Sequence, residues 1–539
     1  MTRLRQGSGG QAQSRQGSGG QAHSRQGSGG QAQSRQGSGA QVRRLLIANR
    51  GEIARRIIRA CRELGIETVA VFSDADAGAP HVSEADHAVR IGPAPARDSY
   101  LDIDAILAAA RSSNADAIHP GYGFLSERAR FAKAVEQAGL IFVGPPSSAL
   151  EKMGSKTGAR QIMVGANVPV VPGETPADQS DASLSAAAAR VGFPVLIKPA
   201  AGGGGIGMKV VRAASEMSEA LAAARREAAA SFGNDALYIE RLIERPRHVE
   251  IQVFADNHGH TVHLFERECS AQRRHQKVIE ESPCAALSGA VRERMGAAAV
   301  AAAEAIGYRN AGTCEFLLEG SGDEARFYFL EMNTRLQVEH TVTEQVVGVD
   351  LVQAQLRVAS GEPLPFTQES LSQRGHAIEC RIYAEDPAQG FIPQAGTLLL
   401  YREPQGPGIR VDSGVTQGSV VSVHYDPMLA KVIVYGATRE DARRRAIAAL
   451  REYAILGIRT NMPFLLQLLE HPQFVDASID TEFLDREGAA IAATISSALP
   501  PAVMDAVRKH RNSGTSELRH LGTGATTADP FTSIGAWRG

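Results

Sequence analysis

The chain has 539 residues, 43 % of them apolar, which is enough for about three domains with cores of their own. Its net charge of −2 argues against nucleic acid as the main partner, and no apolar run approaches the roughly 20 residues that span a bilayer. The five scattered cysteines form no CxxC pair, so a disulfide framework and a zinc ribbon are excluded, and a reduced, cytoplasmic protein is expected.

The start of the chain repeats "RQGSGGQAQS" with almost no apolar content. Such a segment cannot bury enough surface to offset the entropy lost on ordering. It holds arginine and serine without acid, as transit peptides do, but it has no amphipathic period and no apolar signal-peptide core. We therefore expect residues 1–41 to be a disordered low-complexity tail that takes no part in the fold.

The ordered part begins at "RRLLIANRGEIARRIIRACRELGIETVAVFS". An apolar strand from Leu45 to Ala48 leads through a turn into an amphipathic helix, and a second strand follows from Thr68 to Phe72. Similar alternation continues to "LIFVGP", so residues 42–154 are expected to form a Rossmann-like α/β domain. The first turn has the single glycine of "NRGEIA" instead of GxGxxG, which argues against dinucleotide binding.

A glycine-rich segment, "VLIKPAAGGGGIGMKVV", lies between two β-rich runs. Its GxGxxG match is weak, because a Rossmann loop opens a helix and "MKVVRA" continues as a strand. A P-loop is also excluded, since Gly-Lys-Ser/Thr does not follow the glycines. A hairpin whose loop covers nucleotide phosphates fits better, with Lys198 supplying charge from the entering strand. A flexible turn without any ligand remains the alternative at this point.

Further along, "CSAQRRHQKVIEE" concentrates four basic side chains. The run fits a solvated basic face, a small nucleic-acid patch or an anion pocket. An anion pocket is the most economical of these interpretations if the glycine loop binds phosphate.

The strongest local signal is "GTCEFLLEGSGDEARFYFLEMNTRLQVEH", in which two β-rich runs flank a polar turn and predict a hairpin. If the second strand stays extended, every second residue from Glu331 to Glu339 lies on one face, and Glu315 on the first strand can pair with Glu331. Paired carboxylates with an amide oxygen are ligands that suit Mg²⁺. A solvated strand face of mixed charge is the alternative, although the preceding "FYF" favours burial.

The last ordered region contains "GHAIECRIYAEDP", "GTLLLYREP", "GIRVDSGV" and "LAKVIVYG", followed by the helix "TREDARRRAIAALREY". Several short strands and a helix indicate an α+β domain over residues 375–486. Residues 487–539 are rich in Ala, Ser, Thr and Gly and are expected to form a linker-like tail.

Nine motifs occur in the order found in biotin carboxylases of the ATP-grasp superfamily, which the chain resembles from about Arg44 to Arg486. They are "IANRGEIA", "HPGYGFLSE", "MGSK", "KPAAGGGGIGM", "ERPRHVEIQ", "CSAQRRHQK", "EMNTRLQVEH", "CRIYAEDP" and "HYDPMLAKVI". The resemblance implies a Rossmann-like pre-ATP-grasp domain, an ATP-grasp domain over residues 155–360 with a glycine-rich lid at about 170–242, and the C-terminal α+β domain of biotin carboxylases.

The resemblance also implies a role for each matching residue. ATP would be bound by Lys156, Lys198, Gly204, Gly205, Glu240, Ile243, His248 and His275. The magnesium ligands would be Glu315, Glu331 and Asn333. Bicarbonate would be held by Lys277, Arg335, Gln337 and the backbone of Val338, with Glu339 as the general base. Arg381 would face the ureido group of biotin, with Tyr122 nearby.

The implied reaction is the ATP- and bicarbonate-dependent carboxylation of biotin, with two Mg²⁺ ions or Mn²⁺ in their place. It is the first half-reaction of acetyl-CoA or another acyl-CoA carboxylase. The implied partners are a second copy of the chain, carboxyltransferase subunits and a biotin carboxyl carrier protein acting in trans, since no Met-Lys-Met occurs here. No nucleic acid or membrane is expected.

Two rival functions remain open from the sequence. Another ATP-grasp ligase, such as a carbamoyl-phosphate-forming enzyme, shares the bicarbonate step but gives no reason for "CRIYAEDP". A nucleotide-binding regulator without activity would be expected to show gaps in the acidic face, and the sequence shows none.

Overall fold

The computed structural model describes residues 41–200, 207–274 and 276–495, together with Met504, Asp505, Arg508 and Lys509. The expected disordered tail up to residue 40, Gly204, Gly205, His275 and most of the C-terminal tail lie outside the described residues. Within the described residues, no helix combines the length and the apolar character needed to cross a membrane.

The first region is a parallel sheet with helices on its faces. Its elements are β1 Arg44–Ile47, α1 Gly51–Leu64, β2 Glu67–Ser73, α2 Pro80–Glu84, β3 His87–Gly92, α3 Ile103–Ser112, β4 Ala117–His119, α4 Ala129–Gln137, β5 Ile141–Phe142 and α5 Ser147–Met153. The strand order β3-β2-β1-β4-β5 reverses direction between β1 and β4. Ligand-binding groups of such sheets collect at the carboxyl ends of the strands on either side of this reversal.

The residues themselves explain this sheet. Leu45, Leu46 and Ile47 have no exposed surface, as expected for a strand covered on both faces. Gly51 adopts a positive φ of 66° in the turn after β1, a conformation that glycine allows without strain. The Rossmann-like fold expected from the alternation of strands and helices is confirmed.

A small antiparallel sheet follows, with an apolar core of its own. The elements of this part are α6 Lys156–Gly165, β6 Gly173–Glu174, α7 Asp181–Val191, β7 Val195–Pro199, β8 Lys209–Val211, α8 Met217–Phe232 and β9 Leu237–Arg241. The sheet order is β6-β9-β7-β8. Val195 of β7 pairs with Val211 of β8 in antiparallel register, so the glycine-rich segment joins the two strands of a hairpin, as predicted.

The largest sheet has eight antiparallel strands in the order β14-β13-β10-β11-β12-β15-β22-β20. Its first part comprises β10 Arg247–Ala255, β11 Thr261–Arg273, β12 Gln276–Ser282, α9 Gly289–Ile306, β13 Asn310–Glu319, β14 Arg326–Asn333, α10 His340–Val347 and α11 Leu351–Ala359. The pairing of β12 with β15 extends this sheet from the middle part of the chain into the C-terminal part.

The C-terminal part supplies two further long strands and a helical layer. Its elements are β15 His376–Tyr383, β16 Glu385–Asp386, β17 Ile392–Pro393, β18 Gly396–Thr397, β19 Leu400–Arg402, β20 Ile409–Ser413, β21 Val420–Val421, β22 Met428–Gly436, α12 Arg439–Glu452, β23 Ala454–Leu456, α13 Met462–Glu470, α14 Pro472–Val475 and α15 Phe483–Ala493. The α+β composition expected for this region is confirmed.

Two expectations about local structure differ from what is observed. The strand that carries Glu331 ends at Asn333, so the extended chain expected up to Glu339 is wrong for its last six residues. The linker-like tail expected after Arg486 begins later, because α15 continues to Ala493 and buries Ile491 in the C-terminal core.

Candidate active site

A cleft of about 780 Å³ lies where the three regions meet. Most of the site residues predicted from the sequence line it: Tyr122, Lys198, Glu240, Ile243, His248, Lys277, Glu315, Glu331, Asn333, Arg335, Gln337, Val338 and Arg381. Glu339 has no exposed surface and lies behind the cleft wall. Lys156 begins α6, and the predictions for Gly204, Gly205 and His275 concern residues outside those described.

The predicted carboxylate pair is present on an edge strand of the large sheet, β14, and on its neighbour β13. Glu315 of β13 lies directly opposite Glu331 of β14, and this pairing confirms the register expected from the sequence. Asn333 adds an amide whose Nδ2 donates to Glu315 Oε1 at 2.8 Å. This set of hard oxygen donors fits Mg²⁺, and no sulfur is placed among them.

Lys277 is the cation at the centre of this acidic group. Its Nζ donates to Glu250 at 2.6 Å, to Glu315 at 2.9 Å and to Glu339 at 2.6 Å. Burial opposes its charge, but the three carboxylates raise the pKa of Lys277 well above its usual value. The same contacts hold Glu315 ionised: although burial raises its pKa, Lys277 and His248 lower it well below the usual range.

The segment after Asn333 turns instead of continuing as a strand, yet its polar side chains still point into the cleft. Arg335 Nη1 donates to Gln337 Oε1 at 2.8 Å, and Arg335 Nη2 donates to Asn333 Oδ1 at 3.1 Å. Its Nε lies 3.1 Å from a carboxylate oxygen of Glu127 in the first region. Gln337 Nε2 reaches Glu315 Oε1 at 3.2 Å. A turn held by side chains thus replaces the predicted strand face.

Glu339 immediately precedes α10 and lies between two cations. One oxygen accepts from Lys277, and the other accepts from Arg381 Nη2 at 2.9 Å. Burial raises the pKa of Glu339, but Lys277 and Arg381 lower it to about 2, so the carboxylate is ionised at neutral pH. The sequence suggested Arg335 as its neighbour; the contacts described here are with Lys277 and Arg381.

Arg381 lies at the biotin end predicted for the cleft. Its Nε donates to Glu280 Oε1 at 2.5 Å, and the neighbouring strand β22 carries Lys431 directly opposite it. Tyr122 also lines this end, where its hydroxyl donates to Glu52. Tyr122 follows β4 and Glu52 follows β1, so both belong to the carboxyl ends of the strands where the sheet order reverses.

The end of the cleft that the sequence predicts to hold the nucleotide is lined by the small sheet. Lys198 of β7 forms an ion pair with Glu240 of β9, and Arg160 of α6 lies 3.5 Å from the same carboxylate. Ile243 is only 4 % exposed and supplies an apolar wall. His248 lies 3.3 Å from a carboxylate oxygen of Glu315. Burial lowers the pKa of His248, but Glu315 raises it to about 9, which makes the ring cationic.

Several residues that shape the site were missed in the sequence. Glu250 lies on the strand face of His248, so the period-two pattern of "RHVEIQ" could have indicated it. Glu280 is followed directly by Glu281, and the sequence does not indicate which of the two faces the site. Lys431 is a fully buried lysine whose Nζ donates to the carbonyl of Val338. No local pattern predicts that contact, because it joins residues far apart in sequence.

Family models match three consecutive parts of the chain. The biotin carboxylase N-terminal domain matches residues 41–150, and the biotin carboxylase C-terminal domain matches residues 379–486. Between them, residues 155–367 match the ATP binding domain of the carbamoyl-phosphate synthase L chain. The two flanking matches favour biotin carboxylase over the carbamoyl-phosphate-forming rival.

Curated relatives agree with these matches. The chain is 52 % identical over 444 residues to biotin carboxylase 1 of Bacillus subtilis (strain 168), covering 82 % of this chain and 98 % of that protein. It is 51 % identical over 444 residues to the mitochondrial methylcrotonoyl-CoA carboxylase subunit alpha of Rattus norvegicus, covering 82 % of this chain. It spans only 62 % of the length of that subunit.

Solved structures show the same fold. A biotin carboxylase–β-γ-ATP complex from Campylobacter jejuni superposes with a TM-score of 0.79 at 43 % identity, covering 83 % of this chain and 99 % of that one. The biotin carboxylase domain dimer of Hydrogenobacter thermophilus 2-oxoglutarate carboxylase, solved with MgADP, ADP and bicarbonate, superposes with a TM-score of 0.78 at 42 % identity. The match covers 84 % of this chain and 99 % of that one. With three family models in order and these relatives, the chain belongs to the biotin carboxylase family.

Proposed function

We propose that this chain uses ATP and bicarbonate to carboxylate biotin. The observation that carries the proposal is the position of Glu339, an ionised buried carboxylate held between Lys277 and Arg381. It lies between Lys277, which belongs to the proposed bicarbonate site, and Arg381, which belongs to the proposed biotin site. Relatives that bind ATP, ADP, magnesium and bicarbonate support this assignment.

The nucleotide is proposed to lie along the small sheet. Lys156 and Lys198 would contact its phosphates, Gly204 and Gly205 would cover them, and His275 would contribute from the basic run. Glu240 and Ile243 would receive the adenine. Lys198 forms an ion pair with Glu240 in the structure, so phosphate binding would require this pair to separate. His248, cationic through its contact with Glu315, would add positive charge.

Glu315, Glu331 and Asn333 are proposed to hold the magnesium ions. The metal would neutralise the triphosphate charge and so make the γ-phosphate a better electrophile. These residues lie at the sheet edge beside the bicarbonate turn, which would place bicarbonate next to the terminal phosphate.

Bicarbonate is proposed to bind in the turn after β14. Arg335 and Gln337, whose side chains hydrogen-bond one another, would hold the anion with Lys277 and the backbone of Val338. The contact from buried Lys431 to the Val338 carbonyl fixes that backbone. Bicarbonate is a poor electrophile by itself, so the chain must first let it attack the γ-phosphate, releasing ADP and giving carboxyphosphate.

Glu339 is proposed to take the hydroxyl proton of bicarbonate during this attack. Its pKa of about 2 keeps it ionised, but it would be a weak base if its surroundings did not change. An anionic substrate draws the charges of Lys277 and Arg381 toward itself. That change raises the proton affinity of Glu339 at the moment when a base is required.

Arg381 is proposed to stabilise the second step. Carboxyphosphate breaks down to CO₂ and phosphate beside biotin. The released phosphate would take the proton of the ureido N–H, and the resulting nitrogen anion would attack the carbon of CO₂. Negative charge collects on the ureido oxygen during this step, and the guanidinium stabilises it there. Tyr122 lines the same end of the cleft and would contact the biotin ring.

The biotin would be presented by a carrier and then used by a carboxyltransferase. The α subunits of methylcrotonoyl-CoA carboxylases among the relatives support an acyl-CoA as the final acceptor. The biotin carboxylase domain dimer of Hydrogenobacter thermophilus supports a homodimer. A cytoplasmic setting is supported by the five cysteines, all of which are buried and unpaired.

An ADP-release assay with and without free biotin tests the function. We expect ATP cleavage to require bicarbonate and to rise strongly when biotin is added. Cleavage that ignores biotin would assign the chain to another bicarbonate-activating ligase. Nucleotide binding without any turnover, with or without a biotinylated carrier, would indicate a regulator and refute the proposal.

A further inference from the structure

Two acidic side chains lie side by side behind Arg381, and the reaction above does not use them. Glu280 of β12 and Glu379 of β15 are directly opposite each other in the antiparallel pairing of these strands. Opposed residues share a sheet face, with Cβ atoms about 4.5–5.5 Å apart. Both residues have no exposed surface. We call Glu280 and Glu379 the carboxyl pair.

Each member of the carboxyl pair has one oxygen in a hydrogen bond and one without. Glu280 Oε1 accepts from Arg381 Nε at 2.5 Å, and Glu379 Oε2 accepts from the hydroxyl of Thr341. Glu280 Oε2 and Glu379 Oε1 are buried and find no hydrogen-bond donor among the described residues. A buried acceptor without a donor is costly, so two of them on neighbouring strands require an explanation.

The surrounding cations do not compensate two negative charges here. The charged, polar and titratable groups of the described residues that act on the carboxyl pair come from five elements: Arg381, Cys380 and Tyr383 of β15, Lys277 of β12, Lys431 of β22, Cys269 of β11, Glu339 just before α10 and Thr341 within α10. Lys277 already donates to three other carboxylates, and Arg381 is shared with Glu339. Burial raises the pKa of Glu280 to about 7 and that of Glu379 to about 8.

We propose that Glu280 and Glu379 share one proton and that the resulting carboxyl pair positions Arg381 for the biotin step, an inference that rests on the function proposed above. A shared proton gives each unpaired oxygen a partner, because one oxygen donates it and the other accepts it. The pair then carries one negative charge in place of two. Glu280 orients the guanidinium of Arg381 through Nε, and no second negative charge of the pair acts on it.

Loss of the shared proton would change the site in a defined direction. A second negative charge beside Arg381 holds the guanidinium more tightly and reduces its attraction for the ureido oxygen of biotin. The carboxyl pair titrates as a unit, so its loss of a proton belongs to both residues together. Biotin should therefore bind less well as the pH rises, whereas nucleotide binding at the other end of the cleft should not follow this titration.

The first experiment needs no biotin turnover. Infrared difference spectra of the wild-type chain, recorded between about pH 6 and pH 9, should show a protonated carboxyl stretch that disappears in the alkaline range. Glu379→Gln and Glu280→Gln should each remove that band, whereas Glu281→Gln, on the opposite face of β12, should keep it. A wild-type spectrum without any such band would overturn the shared proton, for instance because both carboxylates are ionised.

The second experiment measures KM for biotin against pH. In the wild-type chain KM should rise about tenfold from about pH 7 to about pH 9. In Glu379→Gln, where a neutral amide replaces the protonated acid, this rise should be absent. In Glu280→Gln, KM should be high at every pH, because the Nε of Arg381 has lost the carboxylate that orients it, although Nη2 still contacts Glu339. A KM that depends on pH equally in wild type and Glu379→Gln would refute the positioning role. Absence of biotin-dependent turnover in the wild type would refute the proposed function instead, while the infrared result would still decide the shared proton.

Discussion

Glu339 illustrates how one carboxylate can be kept charged in the interior of a protein. It has no exposed surface, and burial by itself would favour its neutral form. Lys277 and Arg381 each donate a hydrogen bond to it, and both approach from elements other than its own helix. The charge of Glu339 thus depends on the correct packing of β12 and β15. Its basicity depends on what else these two cations bind.

The variant Glu339→Gln tests the assignment of the base. Gln preserves the size of the side chain but cannot accept the bicarbonate proton, so biotin-dependent ATP cleavage should fall by about 10²-fold or more. Binding of MgATP, measured by calorimetry, should remain near that of the wild type. A purely structural role would show the reverse, with loss of folded protein and near-normal specific activity in the folded fraction.

Glu331→Gln tests the metal assignment. Removing one of the opposed carboxylates leaves the nucleotide charge poorly neutralised, so turnover should fall by about 10²–10³-fold. Raising the magnesium concentration should recover part of it. Glu319→Gln is a matched control, because Glu319 lies on β13 like Glu315 but contacts Arg241. Near-normal turnover of Glu331→Gln would refute magnesium binding by this strand pair.

At the residue scale, the sequence predicted most of the named residues that line the cleft but not their geometry. The period-two pattern placed Glu315 opposite Glu331 correctly, because both residues are in regular strands. The same pattern failed after Asn333, where side-chain contacts of Arg335 stabilise a turn that no backbone periodicity reveals. Glu280, Glu379 and Lys431 were missed because their roles depend on which strands are neighbours.

At the scale of single elements, β12 carries residues of the proposed site on one face and a buried ion pair on the other. Glu280 points toward Arg381, whereas the next residue, Glu281, contacts His376 of β15 and Arg439 of α12 at 2.7 Å each. Although burial raises it, His376 and Arg439 lower the pKa of Glu281 to about 2. The outer face of β12 therefore connects the strand to the C-terminal region.

Glu281→Gln should destabilise the fold without changing the chemistry. Losing one partner of a buried ion pair costs about 3–5 kcal/mol, measured as the free energy of unfolding in urea. Glu174→Gln is the comparison, because its ion pair with Arg190 is solvent-exposed and its loss should have a much smaller effect. Equal effects of the two substitutions would contradict this view of β12.

The pH dependence of stability follows from the same residue. The pKa of Glu281 is lower in the folded than in the unfolded chain, so its ionised form stabilises the fold above the ordinary carboxyl pKa. That contribution is lost as the pH falls toward about 2. In Glu281→Gln the contribution is absent, so the difference in melting temperature from wild type should shrink steadily on acidification. A difference that stays constant would assign the effect to packing.

Prediction of elements was accurate for long regular segments and poor for short ones. The strand around Leu45 and the helix "TREDARRRAIAALREY" were located within a few residues. Two-residue strands such as β16 and β21 have no readable period, because they exist only through the partner with which they pair. The end of α15 was missed because its alanines are typical of a linker in the sequence, and only the structure shows that Ile491 is buried in the core.

At the scale of the whole molecule, the first region and the C-terminal region meet through a glycine. A Cβ placed on Gly414 would lie 2.8 Å from the backbone nitrogen of Glu52 and 3.0 Å from Cα of Gly51. Backbone atoms at the start of α1 cannot give way as a flexible side chain would. Close approach at Gly414 thus sets the position of Glu52 and, through it, of Tyr122.

Gly414→Ala should therefore affect a site that it does not touch. Overpacking at this contact costs about 1–3 kcal/mol of stability and should raise KM for biotin more than KM for ATP. Gly78→Ala is the control, because among the described residues no atom outside the neighbouring residues of the chain lies within 4 Å of the added Cβ. If both KM values rise together, the contact does not act through the biotin end of the cleft.

The continuous eight-stranded sheet has a consequence for how the protein is made. β12 hydrogen-bonds to β15, a strand that leaves the ribosome only after α9, β13, β14, α10 and α11 have emerged. Until then the outer edge of β12 presents unpaired backbone groups to solvent, together with side chains that are buried in the folded protein. Pairing between strands so distant along the chain is slow to form. β15 must therefore be translated before this sheet can be completed. A nascent chain that pauses earlier is expected to bind chaperones that cover exposed strand edges.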